Sequence, residues 1–166
     1  MVRKWITSLK ECFKNYRNEW LVGLFIFILD QASKSAVLMY LSRRNVLEIF
    51  PFFHLRYVEN TGAAFGMMQG GNWLLIFVML AIIVYILKSW KELCSYGVLV
   101  KWGCVFILAG AAGNLYDRIT LGFVVDFIDL RVWPVFNAAD SFITIGGVLL
   151  ALTLLHTGKT HKQEEK

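Results

Sequence analysis

Carboxylates and amides gather in the last third of the chain. Asp126 and Asp129 lie in VVDFIDL, and Asn137 and Asp140 lie in FNAADSFITIGG. Two carboxylates brought together in a poorly hydrated site share one proton. One stays acidic and the other is held neutral, which suits the pair to activate a water and protonate a leaving group. If VVDFIDL is a strand, Asp126 and Asp129 point to opposite faces, so one of them can face Asp140 and the other water. Spacing alone leaves open which one does. Asn137 and Asp140 also fit a plainer description, an N-cap and a first-turn acid that satisfy free backbone N–H groups and complement the helix dipole. The two descriptions are compatible. No activated Ser, Cys or His competes for the chemistry. Cys12, Cys94 and Cys104 have neither paired nor metal-like spacing, and His54, His156 and His161 are as scattered. Taken alone, the carboxylates support an aspartyl hydrolase only weakly, because proton relays use the same pairs.

The elements that must position these groups are apolar. The 166 residues are 57% hydrophobic and 17% charged, with a mean hydropathy of +0.56. A soluble domain of this length cannot hide that much apolar surface. Four apolar segments, at about 20–41, 71–87, 97–116 and 138–156, approach the roughly 20 residues that cross a bilayer. The expected fold is therefore an all-α membrane protein of four transmembrane helices, forming one domain over 1–166. The basic start and the apolar LVGLFIFIL resemble a signal peptide, but apolar character resumes after Lys34 and three more segments follow, so the first helix is expected to stay.

Eleven Lys and Arg residues fall in the N-terminal tail, the loop after the second segment with the start of the third, and the C-terminal tail. Five fall in the other two loops. Both termini are then expected in the cytoplasm, with loops 42–70 and 117–137 on the outer side. Those loops are not polar spacers. In HLRYVENTGAAFG, Leu55 and Tyr57 alternate with His54 and Arg56, and Asn60-Thr61-Gly62 is a turn signal, which predicts a small β-ribbon or cradle on the outer face. Trp133 and Phe136 suit the headgroup level. The glycines at 62, 66, 70 and 71 would permit motion of the outer loop, and they serve ordinary turns equally well. Ionisable groups inside a bilayer are costly and need a partner or a task. Asp30 and Lys34 stand four apart on one helix and can pair; Asp117 and Arg118 close the third segment, where a structural role suits Asp117.

The blocks Asp30-Gln-Ala-Ser-Lys34, VENTGAAFG at 58–66, AGAAGNLYDRITLGFVVDFIDL at 109–130 and FNAADSFITIG at 136–146 occur in order among the four segments. In this arrangement the chain resembles the lipoprotein signal peptidases, or signal peptidases II, over nearly its whole length. The resemblance implies a multi-pass aspartic endopeptidase of the bacterial cytoplasmic (inner) membrane. Such an enzyme removes the signal peptide from prolipoproteins whose lipobox cysteine carries a diacylglyceryl group, cutting just before that cysteine. It places the catalytic pair on Asp126 and Asp140, leaves Asp129 out, and puts supporting positions on Asp30, Lys34, Asn60, Gly110, Asn114, Arg118 and Asn137. The small residues of AGAAG at 109–113 let helices approach closely. The expected partners are the lipidated substrate and membrane lipids, with no metal or other cofactor, no nucleic acid, and a monomeric state. Two other classes explain part of the pattern. A proton- or ion-conducting subunit accounts for Asp30, Lys34 and the carboxylates but needs no apolar ribbon. A scaffold without activity predicts that Asp126 and Asp140 are dispensable.

Overall fold

The structure, a computed structural model, describes residues 16–42, 46–62 and 71–164, without the side chains of 154 and 156–164. Cys12, the basic residues of 1–14, Arg43, Arg44, Gly66, Gly70 and Lys166 lie outside the described residues, and the side chains of His156, Lys159, His161 and Lys162 are likewise not described.

Among the described residues, five helices and three strands follow in the order α1 (Arg17–Leu41), β1 (Leu47–Phe50), β2 (Phe53–Asn60), α2 (Asn72–Lys88), α3 (Trp90–Ser95), α4 (Val98–Thr120), β3 (Val124–Asp129) and α5 (Ala138–Glu164). The four expected apolar segments are all helical. α1 and α4 are long and apolar enough to cross a membrane, whereas α2 and the apolar part of α5, Ala138–Thr153, are shorter. The short α3 was not expected. Its Trp90 stacks on Trp20 of α1 with ring centroids 4.8 Å apart, so a stretch that reads as a basic loop is held by aromatic packing.

α4 is the central helix and packs on α1, α2 and α5. Its buried positions run almost all the way round, from Val100 to Arg118, which marks a helix enclosed by neighbours. α1 buries one stripe, Glu19, Ile26, Asp30, Lys34, Val37 and Leu41, spaced for one helical face. The opposite face leaves Leu21, Leu24, Phe25 and Ile28 exposed. Close approach of α4 to α5 depends on missing side chains. A Cβ on Gly110 would lie 2.5 Å from the Ala139 carbonyl oxygen and 2.7 Å from Ile143 Cγ1, and one on Gly146 would lie 2.6 Å from the Gly103 oxygen. At one end of this helical layer Glu19 of α1 pairs with Lys101 of α4 at 2.5 Å.

The sheet covers the other end. Its order is β1-β2-β3, antiparallel throughout. The expected ribbon is thus larger than one loop, because β2 from the first loop pairs with β3 from the second. Val125 and Phe127 of β3 pack with Val37 and Leu41 at the end of α1. After β3 the chain reverses. Asp129 Oδ1 accepts the backbone N–H of Arg131 at 2.8 Å, and Arg131 takes the left-handed conformation, φ 66°. Phe136 then bridges back to Ile128, and the following residue, Asn137, lands beside Asp126.

Candidate active site

The capping expectation for Asn137 holds in detail. Its Oδ1 accepts the backbone N–H of Asp140 at 2.9 Å, and Asp140 Oδ2 accepts the backbone N–H of Asn137 at 3.3 Å. This reciprocal arrangement is a capping box with Asp in the N3 place. Committing Oδ1 to the helix turns the amide nitrogen of Asn137 outward. Nδ2 donates to Asp126 Oδ1 at 2.7 Å and to Asn114 Oδ1 at 3.0 Å. One fully buried side chain therefore ties the start of α5 to β3 and α4.

Two further amides complete the set. Asn60, at the end of β2, donates to Asp126 Oδ2 at 2.8 Å while its Oδ1 accepts the N–H of Gly62 at 3.0 Å. Asn114, on α4, donates to Asp140 Oδ1 at 2.7 Å. Its Oδ1 is taken by Lys34 Nζ at 2.9 Å and by Asn137, so the orientation of its amide is fixed. Each of the four carboxylate oxygens accepts one hydrogen bond from an uncharged amide. Among the described residues neither Asp126 nor Asp140 has an ion pair. Burial, and after it the charge of Asp140, pushes the Asp126 carboxyl up to about 7, so near neutral pH this strand residue exchanges a proton readily.

Both carboxylates line one open cleft of about 620 Å³, together with Asn60, Asn114 and Arg118. Leu75, Met79 and Ile143 form part of its apolar wall, and Trp133 and Phe136 stand at its border with the sheet segment. Arg118 is buried. Its Nη2 donates to the Gly62 carbonyl at 2.6 Å and its Nη1 to Asn72 Oδ1 at 3.1 Å. An apolar wall joined to a few convergent polar groups is the usual form of a ligand site.

Asp129 is on the other face of β3, but it does not meet water as the strand geometry suggested. It is 3% exposed and pairs with Arg56 at 3.0 Å while forming the turn at Arg131. Gly110 does not line the cleft; it faces Ala139 and Ile143 and lets α5 start close to α4. Asp30 and Lys34 pair at 2.8 Å, and Lys34 also reaches Asp117 at 2.9 Å. Asp117 is therefore a buried partner, in the structural role expected of it. Gln31 and Asn72 were missed as site-supporting residues. Gln31 Nε2 lies within hydrogen-bond reach of Asp30, Asp117 and the Gly113 carbonyl. Gln31 adjoins Asp30 inside an apolar helix and Asn72 opens another, and a polar residue in such a place is the signal that finds such groups.

The arrangement of helices and sheet is that of bacterial membrane enzymes. One solved by the in meso method at 2.3 Å superposes with a TM-score of 0.81 at 29% identity, over 86% of this chain and 90% of its own. A second, at 1.9 Å, gives 0.73 at the same identity. The chain belongs to the family described as Signal peptidase (SPase) II, which it matches over residues 22–156. Similar relatives include the lipoprotein signal peptidase of Syntrophomonas wolfei, 43% identical over 87% of this chain and 97% of that protein. That of Clostridioides difficile is 42% identical over 81% and 93%.

Proposed function

We propose that the chain is an aspartic endopeptidase that removes the signal peptide from diacylglyceryl-modified prolipoproteins, cutting just before the lipidated cysteine, with Asp126 and Asp140 as its catalytic pair. What carries this reading is the pair itself: two carboxylates, held by neutral amides and free of ion pairs among the described residues, facing one cleft. Family membership supplies the substrate class.

In the proposed reaction the dyad holds one proton at the start. The ionised carboxylate takes a proton from a water as the water oxygen bonds to the scissile carbonyl carbon. The protonated carboxyl gives its proton to the carbonyl oxygen, so a neutral tetrahedral diol forms and the dyad again holds one proton. Collapse breaks the C–N bond. The leaving nitrogen takes a proton from the dyad, and a hydroxyl of the diol returns one. Asn60, Asn114 and Asn137 keep the carboxylates in register. Arg118 and the apolar wall are suited to the substrate backbone and its acyl chains.

The substrate is anchored in a bilayer, so an enzyme in the same bilayer meets it by lateral diffusion. The proposed arrangement is a single four-span domain in the bacterial cytoplasmic membrane, both termini cytoplasmic, active as a monomer. The bias of Lys and Arg favours that orientation, which puts the cleft near the outer face. The test is cleavage of a diacylglyceryl-modified prolipoprotein by purified protein in lipid, with Asp126→Asn, Asp140→Asn and Asp129→Asn beside wild type and unlipidated substrate as control. Cleavage of the lipidated substrate alone, lost in the first two variants and largely kept in the third, is the expected result. A folded wild type that cuts nothing, or dyad variants that cut normally, would sink the reading.

A further inference from the structure

Lys34 is 2% exposed and its three N–H donors meet three acceptors, Asp30 Oδ2, Asp117 Oδ2 and Asn114 Oδ1. The two carboxylates have second tasks that match each other. Asp30 Oδ1 accepts the backbone N–H of Ala139 at 2.9 Å, and Ala139 immediately precedes Asp140. Asp117 Oδ2 accepts the backbone N–H of Val125 at 3.2 Å, and Val125 immediately precedes Asp126. Gln31 Nε2 bridges the same two carboxylates at 3.1 and 3.0 Å.

We infer that Asp30, Lys34 and Asp117 form a yoke that fixes the distance between the two proposed catalytic aspartates by holding the backbone one residue before each of them. This rests on the dyad reading above. The members of the yoke do not line the cleft, so they are positioning residues. Their geometry explains why both carboxylates share one lysine. A salt bridge built only to steady α1 would need Asp30 alone, at the i, i+4 spacing. The second carboxylate, from α4, adds nothing to α1 and holds β3. Backbone anchoring also suits the chemistry, since two carboxylates share a proton strongly only at a fixed short separation.

Substitution by Asn distinguishes the two arms. Asp117→Asn can keep its oxygen toward Lys34 and Val125 and set its NH2 against Gln31, whose amide can turn over to offer an oxygen. Asp30→Asn must set its NH2 against either Lys34 or the Ala139 N–H, and neither of these has an acceptor to offer. Asp30→Asn is therefore expected to act more strongly than Asp117→Asn.

The experiment measures kcat, KM and the pH profile of kcat/KM on lipidated prolipoprotein, per mole of folded protein, for wild type, Asp30→Asn, Asp117→Asn and the milder Gln31→Met. Removing one negative charge from the yoke displaces both limbs of the profile in the same direction. A change in the spacing of the dyad alters the separation between the limbs. The expected result is a fall in kcat of about tenfold or more for Asp30→Asn, with KM within about twofold. The limbs should draw together by about half a pH unit or more, with smaller changes of the same sign in Asp117→Asn and Gln31→Met. Unchanged limb separation in the folded variants overturns the yoke. If the two Asn variants cannot be recovered folded, Gln31→Met decides alone, and wild-type limb separation there overturns the proposal. Should wild type cleave nothing, the dyad reading fails first. Should wild type cleave, Asp126→Asn not cleave and the yoke variants keep the wild-type profile, only the yoke fails.

Discussion

Two clusters of acids lie close together and are treated in opposite ways. In the first, Asp30 and Asp117 close around Lys34, and every one of their oxygens accepts a hydrogen bond. In the second, Asp126 and Asp140 are held as fully, but only by neutral amides, and they open on a cleft. Breaking a buried ion pair leaves an uncompensated charge away from water. A carboxylate held by amides keeps the option of taking a proton, because no cation is in contact with it to hold it ionised. The first cluster can therefore only hold, and the second can also react. Predictions that separate stability from activity test this division.

The largest expected effect is on activity. Asp126→Asn should lower kcat/KM about a thousandfold or more if the dyad acts as a unit. Near pH 4, where the folded protein holds the Asp126 proton, its stability should stay within about 1 kcal/mol of wild type, since the change then replaces one neutral hydrogen-bonding group by another. Thermal unfolding in the same lipid, read beside turnover, checks both halves. The pH dependence carries a second signature. The Asp126 pKa is raised to about 7 from 3.8, so the folded protein holds a proton that the unfolded chain has lost. Its contribution to stability is complete below about pH 4 and is lost as pH rises through about 7. Asp126→Asn should remove that part of the slope from an unfolding series between pH 4 and 8.

Lys34→Met reverses the pattern. It leaves two buried carboxylates without their cation, and a change of about 3–5 kcal/mol is expected, seen as a large loss of folded yield or a lowered Tm. Comparable stability to wild type would show that the first cluster does not depend on its charge balance. Asn137→Ala falls between the two regions, because Asn137 belongs to both the helix cap and the site. The lost cap should cost about 1 kcal/mol. Turnover should drop by about one to two powers of ten, since Asp126 and Asp140 lose a common support.

How much of this was legible in the sequence follows the range of the interactions. The helices and the Asp30–Lys34 pair are local, set by apolar runs and an i, i+4 spacing, and they are found where the sequence places them. Asn137 as a cap is equally local. The pairing of Asp126 with Asp140 on one cleft was open on spacing and settled in expectation only by resemblance. Asp117 and Gln31 joining Lys34 depends on α4 crossing α1, and β2 pairing with β3 joins two separate loops. No periodicity announces a contact of that kind. Asp129 shows the limit most clearly. Strand alternation put it opposite Asp126, correctly, but assigned that face to water, because the turn at Arg131 and the side chain of Arg56 that cover it were not visible from spacing.

Asp129 also gives the smallest predicted effect and the finest test of the division. Its carboxylate has two cations, Arg56 at 3.0 Å and Arg131 at 3.9 Å, but those arginines are 42% and 56% exposed, so each pair is partly screened and worth about 1 kcal/mol or less. Its other task, accepting the N–H of Arg131 at 2.8 Å, needs only an oxygen, which Asn supplies and Ala does not. Asp129→Asn should therefore keep most of the turnover and lose under about 1 kcal/mol of stability. Asp129→Ala should lose more of both, because the turn it forms delivers Asn137 to the dyad. If Asn and Ala act alike, the ion pair matters and the turn does not. If Asp129→Asn is as inactive as Asp126→Asn, the acid on the far face of β3 takes part in the chemistry, and the separation of holding acids from reacting acids fails at its nearest boundary.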